Sequence, residues 1–407
     1  MSSASETRSH RSIFAFCPSP FAVLGLWSVL AAACGGTPEN SPPTQVTTFL
    51  AVTASNYVDR VGTLSLLDLD TLQVQKAIDQ VDPSATVRAF DKNLYVLDST
   101  HGSLRILDAA DGFRNPKEVV LRKPGSVEAA QTNPNDLFVD TARGKAYVSL
   151  YGVFGSTQIN SSTALAVVDL TKPEAGIASF VKLNVNSLDT DGNPDASRLV
   201  GCGDKLFVLL QDVDRNNGYK PSGSGRLATV GLSDPSTVGY ITLAGENPTA
   251  ITVFDGCTEA VVGSAGDQLG AVLSGKSGVE RVDLAAGKTL GLALTDIALG
   301  GNVSTLGARD PQHVFIDLST KNGAGYANTI FSVDALARKK GGALLGPVSF
   351  VPAVAVFGDR LAVLAAGTPG TGQLKPGLYL GATTTTALPT EPFDFGLPPS
   401  SVALVSR

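Results

Sequence analysis

From Asn133 to Ser149 the chain reads Asn-Pro-Asn-Asp, Leu-Phe-Val, Asp-Thr-Ala-Arg-Gly-Lys, then Ala-Tyr-Val-Ser. Turn formers alternate with short apolar runs, the pattern of two strands joined by a turn. Degraded copies recur along the chain, each opening at Pro83, Pro134, Pro194, Pro248, Val303, Pro352 or Pro399. The intervals are roughly 50 residues, close to the repeat length of about 40–50 expected for propeller blades. First strands are predicted over 86–90, 137–140, 198–200, 251–254, 305–307, 353–357 and 402–405. Second strands are predicted over 94–97, 146–150, 206–210, 260–263, 314–317 and 361–365.

A third strand ends in an apolar residue and Asp: Leu67-Asp68, Leu107-Asp108, Val168-Asp169, Val282-Asp283 and Val333-Asp334, with Gly231 and Gly381 in the other copies. These Asp residues read as turn formers, because the side chain accepts a bond from nearby backbone. The first copy supplies strands over 48–54 and 63–68 but no first strand, and 401–407 reads as an orphan first strand. A ring that lends its terminal strand to the opposite end removes two open sheet edges. The pattern therefore predicts an all-β, seven-bladed β-propeller with the C-terminal strand completing blade one.

The expected division is a signal segment over 1–33, a tether over 34–46 and the propeller over 47–407. Arg8 and Arg11 precede an apolar run that ends Ala31-Ala32-Ala33-Cys34. This resembles the bacterial lipobox, with Ala31 where that motif prefers Leu. The resemblance implies diacylation at Cys34, an acyl anchor in the lipid bilayer and a place in the cell envelope. With Gly35 after the Cys, it implies the outer membrane of a two-membrane bacterium. Plain secretion and a retained anchor helix are the alternatives, the second needing a span of about 20 residues. The Pro/Gly/Ser/Asn stretch to Gln45 cannot bury a core.

The chain carries a net charge of −6. Removing 1–33 lowers it by one more, which argues against a nucleic-acid partner. In a propeller, loops between second and third strands share a rim with the blade-to-blade turns. That rim is predicted to carry long loops at 151–162, 211–225, 265–278, 318–327 and 366–377. The other rim carries tight turns such as Phe90-Asp91-Lys92-Asn93. Function concentrates on loops held by a rigid frame, so the long-loop rim is the expected binding face for a protein or glycan ligand. The body is expected to be monomeric.

Cys202 and Cys257 occupy matching places in adjacent copies, both just before a second strand. With Cys34 lipidated, they form an even pair in an oxidising compartment. A disulfide between neighbouring blades is expected, if the Cα atoms lie within about 4.4–6.8 Å. Asp189, Asp191, Asn193 and Asp195 place oxygen ligands at every second residue, and Asp212 and Asp214 repeat the pattern. Such spacing suits Ca²⁺, although no EF-hand Gly or closing Glu is present. Solvated turn carboxylates are the plainer reading. No catalytic motif is found, and His101 and His313 fall in different copies as surface or capping residues.

Asn93-Leu-Tyr-Val-Leu97, Gly144-Lys-Ala-Tyr-Val-Ser149 and Lys205-Leu-Phe-Val-Leu209 resemble the YVTN-type β-propeller repeats of bacterial surface and periplasmic proteins. The resemblance implies a seven-bladed ring and carries no catalytic residues. The expected function is a non-enzymatic binding or scaffold lipoprotein. A Ca²⁺-dependent hydrolase or lactonase is the alternative.

Overall fold

Thr86–Phe90 and Asn93–Asp98 form a hairpin in which Phe90 faces Asn93, and Asp91 makes the turn at φ 52°. Ser103–Asp108 and Lys117–Val120 extend it to a four-stranded sheet. The same unit repeats around an axis in the computed structural model, which describes residues 46–122, 133–151, 159–267, 272–322 and 325–407. Cys34, the signal segment and all of the tether but Val46 lie outside the described residues.

Counting from the axis outward, blade three is Pro134–Asp140, Lys145–Leu150, Leu165–Asp169 and Ile177–Val181. Blade four is Ala196–Cys202, Lys205–Leu210, Ser224–Gly231 and Val238–Glu246. Blade five is Pro248–Val253, Glu259–Ser264, Gly278–Asp283 and Lys288–Thr295. Blade six is Asn302–Asp310, His313–Asn322, Gly325–Asp334 and Lys339–Val348. Blade seven keeps three strands, Phe350–Phe357, Arg360–Ala366 and Gly377–Ala382. Its outer edge is covered by a single bridge from Leu378 to Phe393.

Blade one closes the ring as expected. Pro399–Ser406 is its inner strand, followed by Thr48–Asn56, Val61–Asp68 and Val74–Val81. The molecule is thus an all-β, seven-bladed β-propeller.

Two details differ from the sequence expectation. Residues 318–322 and 325–327 are strand and not loop: the ladder of blade six runs on to Asn322 opposite Gly325. Several inner strands begin earlier than their alternation suggests, because a bulge interrupts the register, as between Pro134 and Asp136.

The core lies between blades. Tyr147, Phe207 and Phe315, at matching places on second strands, are buried. Each such side chain contributes about 1.5–3 kcal/mol on leaving water. Close approach of inner strands sets one strict requirement: a Cβ on Gly201 would lie 2.0 Å from the Phe138 ring of the preceding blade. Polar ties also run across the seams between blades. The Thr53 hydroxyl donates to the Ala85 carbonyl at 3.0 Å, and that of Ser149 to the Ser197 carbonyl at 3.1 Å.

Candidate functional site

The rims are unequal. On the tight-turn rim, the turns before Lys205 and Glu259 approach, and Cys202 and Cys257 form a disulfide with Cα atoms 5.7 Å apart. That lies inside the range a disulfide requires, so blades four and five are covalently stapled. The first described residues, Val46 and Thr47, sit on this rim too, because Thr48–Asn56 runs from it toward the opposite one.

The long-loop rim carries the acidic loops of blades three and four. Asp195 and Asp212 are fully buried. Arg215 Nη2 donates to Asp195 at 2.7 Å, and Arg226 holds Asp212 through Nε at 2.8 Å and Nη2 at 2.5 Å. Burial outweighs Arg215 and lifts the Asp195 carboxyl to about 7. Asn193 links the Asp195 amide to the Tyr151 carbonyl. The arginines also stack on rings, Arg215 over Tyr151 and Arg226 over Tyr240.

Of the six oxygen donors singled out in the sequence, three come together. Carboxylate oxygens of Asp189, Asp191 and Asp214 lie within 4.8 Å of one another. Asp191 accepts from the backbone of Asn193 and Arg215, and Asp214 from Thr190 and Asn216. Asp189 Oδ2 has no partner, and burial raises its carboxyl to about 6, Asp191 adding to the shift. A second cluster joins buried Asp82 and Asp98 to His101 on the same rim. His101 Nδ1 lies 3.4 Å from Asp82 and 3.2 Å from Asp98. Burial pushes Asp98 up, with Asp82 adding to it. Burial also acts to raise Asp82, but bonds from Ser84 hold it below its ordinary value. His313 is half-exposed beside Asp310, away from these groups.

The axis was not legible as a site in the sequence. Inner strands of all seven blades line a channel of about 540 Å³. Its charged lining residues are Arg88, Asp136 and Arg198, each at a different blade's inner strand. Arg88 Nη2 pairs with Asp136 Oδ1 at 2.7 Å, and Asp136 Oδ2 accepts from the Leu199 amide at 3.1 Å. Among the described residues, Asp136 acts on Arg198 through its charge, without an ion pair to it. A smaller space of about 280 Å³ at the channel mouth is lined by Asn135, Arg198, Gln211, Ser304 and Phe350. The available signal was an Arg set inside an otherwise apolar or small-residue inner strand, as in Ala-Ser-Arg-Leu-Val.

These features define a seven-bladed β-propeller with a polar central channel. No protein-family model and no curated relative matches the chain. Among solved structures, it is similar to the β-propeller domain of Myceliophteria thermophila Cps50 (Swd1), with 13% identity and a TM-score of 0.52, over 82% of this chain and 97% of that one. It also matches Citrobacter koseri AztD, with 11% identity and a TM-score of 0.46, over 89% and 99% of the two chains.

Proposed function

We propose that the protein is a non-enzymatic binding or scaffold module of the cell envelope, held by an acyl anchor at Cys34 and engaging a protein or glycan partner through its long-loop rim. The observation that carries this reading is the placement of exposed apolar side chains. Tyr57, Val58, Leu188, Leu273, Ile297 and Phe350 are exposed on the long-loop rim, against Val46, Leu72 and Leu336 on the other. The described body starts on the other rim, which leaves the long-loop rim clear of the point where the chain enters the ring. The disulfide fits an oxidising compartment. The mildly acidic body fits a partner other than nucleic acid.

The test is affinity capture from envelope extracts with the wild-type body and two variants. One carries Tyr57→Ser and Val58→Ser; the other has the 367–376 loop shortened. The 211–225 loop should be left intact, because Arg215 and Arg226 neutralise buried carboxylates there. Loss of the same partner from both variants supports the reading, and unchanged partner sets overturn it.

A second reading, a Ca²⁺-dependent hydrolase, is favoured by one observation, the unpartnered Asp189 Oδ2 beside Asp191 and Asp214. Metal analysis of the purified protein separates the two. Absence of stoichiometric calcium, with no melting shift on adding chelator, removes this second reading.

A further inference from the structure

We propose that the central channel is a binding site for a small carboxylate-bearing molecule, held by the guanidinium of Arg198. Seven other arginines, Arg88, Arg105, Arg143, Arg215, Arg226, Arg281 and Arg309, each pair with a carboxylate. Arg198 lies within the protein, only partly exposed, without such a partner. Its nearest carboxylate, Asp136, is committed to Arg88 and to the Leu199 amide. The channel walls therefore carry two cations and one anion, a surplus of one positive charge.

A guanidinium withdrawn from bulk water without a counter-charge is costly unless something else satisfies it. Burial lowers the Arg198 pKa, Asp136 opposing and Arg88 adding to the shift. Arginine remains charged even so, and an anion entering the channel would meet donors already in place. A carboxylate matches the planar fork of one guanidinium with two parallel bonds. It also matches the surplus of a single charge. Asn135, Gln211 and Ser304 at the mouth offer neutral polar groups for the rest of the molecule. The channel, at about 540 Å³, falls within the size range of small-molecule sites, about 300–1,000 Å³.

This site is distinct from the loop surface proposed above, since neither the 57–58 substitutions nor the shortened 367–376 loop touches Arg198. The test is isothermal titration of the full-length protein with pyruvate, L-glutamate and benzoate, with inorganic phosphate and chloride at matched ionic strength as other arms. At least one carboxylate should bind saturably, phosphate and chloride more weakly. Arg198→Met should abolish that binding, and Arg198→Lys should weaken it by about tenfold or more, a difference of about 1.4 kcal/mol. Circular dichroism of both variants checks the fold. In the wild type, a shift of the Arg198 Nε–Hε resonance on adding the carboxylate reports the contact directly. No binding by any carboxylate, equal binding by Arg198→Met, or preference for phosphate overturns the proposal. Carboxylate binding retained in the loop-shortened body, whatever its partners, separates this site from the rim.

Discussion

Thr47 and Arg407 exchange two backbone hydrogen bonds, at 3.1 Å from Thr47 N and 2.9 Å from Arg407 N. These residues begin and end the ring, and the ladder beside them pairs Phe49 with Val405 and Val52 with Val402. Val402 and Val405 are buried, each worth about 1.5–3 kcal/mol. Deleting 400–407 strips the inner strand from blade one and opens the edges it seals. The truncated protein is expected to lose about 5 kcal/mol of stability on that burial and to associate through its open edge. Thermal melts with size-exclusion chromatography check this. A monomer melting with the wild type would remove the closure argument.

The disulfide between Cys202 and Cys257 spans 55 residues of sequence and joins two blades that otherwise meet through packing and through hydrogen bonds from the Ala244 and Gly245 amides to Glu280. Constraining an unfolded loop of that size stabilises by about 2–4 kcal/mol. The double variant Cys202→Ser, Cys257→Ser should therefore unfold at lower urea, and adding reductant to the wild type should reproduce the shift. Equal urea midpoints would show that the non-covalent contacts alone hold blades four and five in place.

Asp195 and Arg215 make a second prediction with a pH signature. Removing one partner from a buried pair costs about 3–5 kcal/mol, because the other charge is left stranded. Arg215→Met should be that damaging at pH 7.5, and Asp195→Asn added to it should recover much of the loss. The Asp195 carboxyl titrates at about 7 in the folded state, above its ordinary 3.8. The folded protein therefore binds this proton more tightly than the unfolded one, so stability falls as pH rises from about 4 to about 7. Asp195→Asn should remove this group's share of the slope. Urea titrations at pH 4.5, 6 and 7.5 measure it, and parallel slopes in the two proteins would refute the assignment.

Much of the ring was readable because its inner and second strands are apolar and bounded by turn residues. The 86–90 strand matches its expected bounds. Closure was readable from an inner strand missing at one end and left over at the other. The outer strands were not readable: Val74–Val81 is largely polar, because one face meets solvent, and shows no clean alternation. Bulges hid strand starts, as at Pro134, where one extra residue resets the period. The acidic stretches were visible, but the arginines that neutralise Asp195 and Asp212 lie outside the pattern that drew attention to them. Arg88, Asp136 and Arg198 were invisible as a group, since only ring closure brings three inner strands to one axis.

Asp317 breaks a rule that its own structural equivalents keep. Thr53, Ser149 and Asp317 occupy one position in three blades, opposite the residue beside the inner-strand bulge: Thr53 faces Ser401, Ser149 faces Asp136 and Asp317 faces Thr305. Thr53 and Ser149 use the place to donate a hydroxyl to the next blade. Asp317 is fully buried there, and neither of its oxygens makes a hydrogen bond of ordinary geometry, the Ser304 side chain alone acting weakly on it. Burial pushes its carboxyl well above the ordinary range, against a weaker opposing effect from Ser304. A raised folded pKa in an acid means that the burial penalty is absent below about pH 4. It grows by about 1.4 kcal/mol for each step of one in pH until the folded carboxyl itself ionises. Asp317→Thr removes the buried carboxyl and restores the donor found in blades one and three. It should stabilise the protein by at least about 1 kcal/mol at pH 7.5, with the gain shrinking toward pH 4. Asp317→Ala, which removes the carboxyl without restoring a hydroxyl, should gain less. Urea midpoints for the three proteins at both pH values decide it. A Thr variant no more stable than wild type at pH 7.5 would show that the buried acid has a partner the seam does not otherwise reveal.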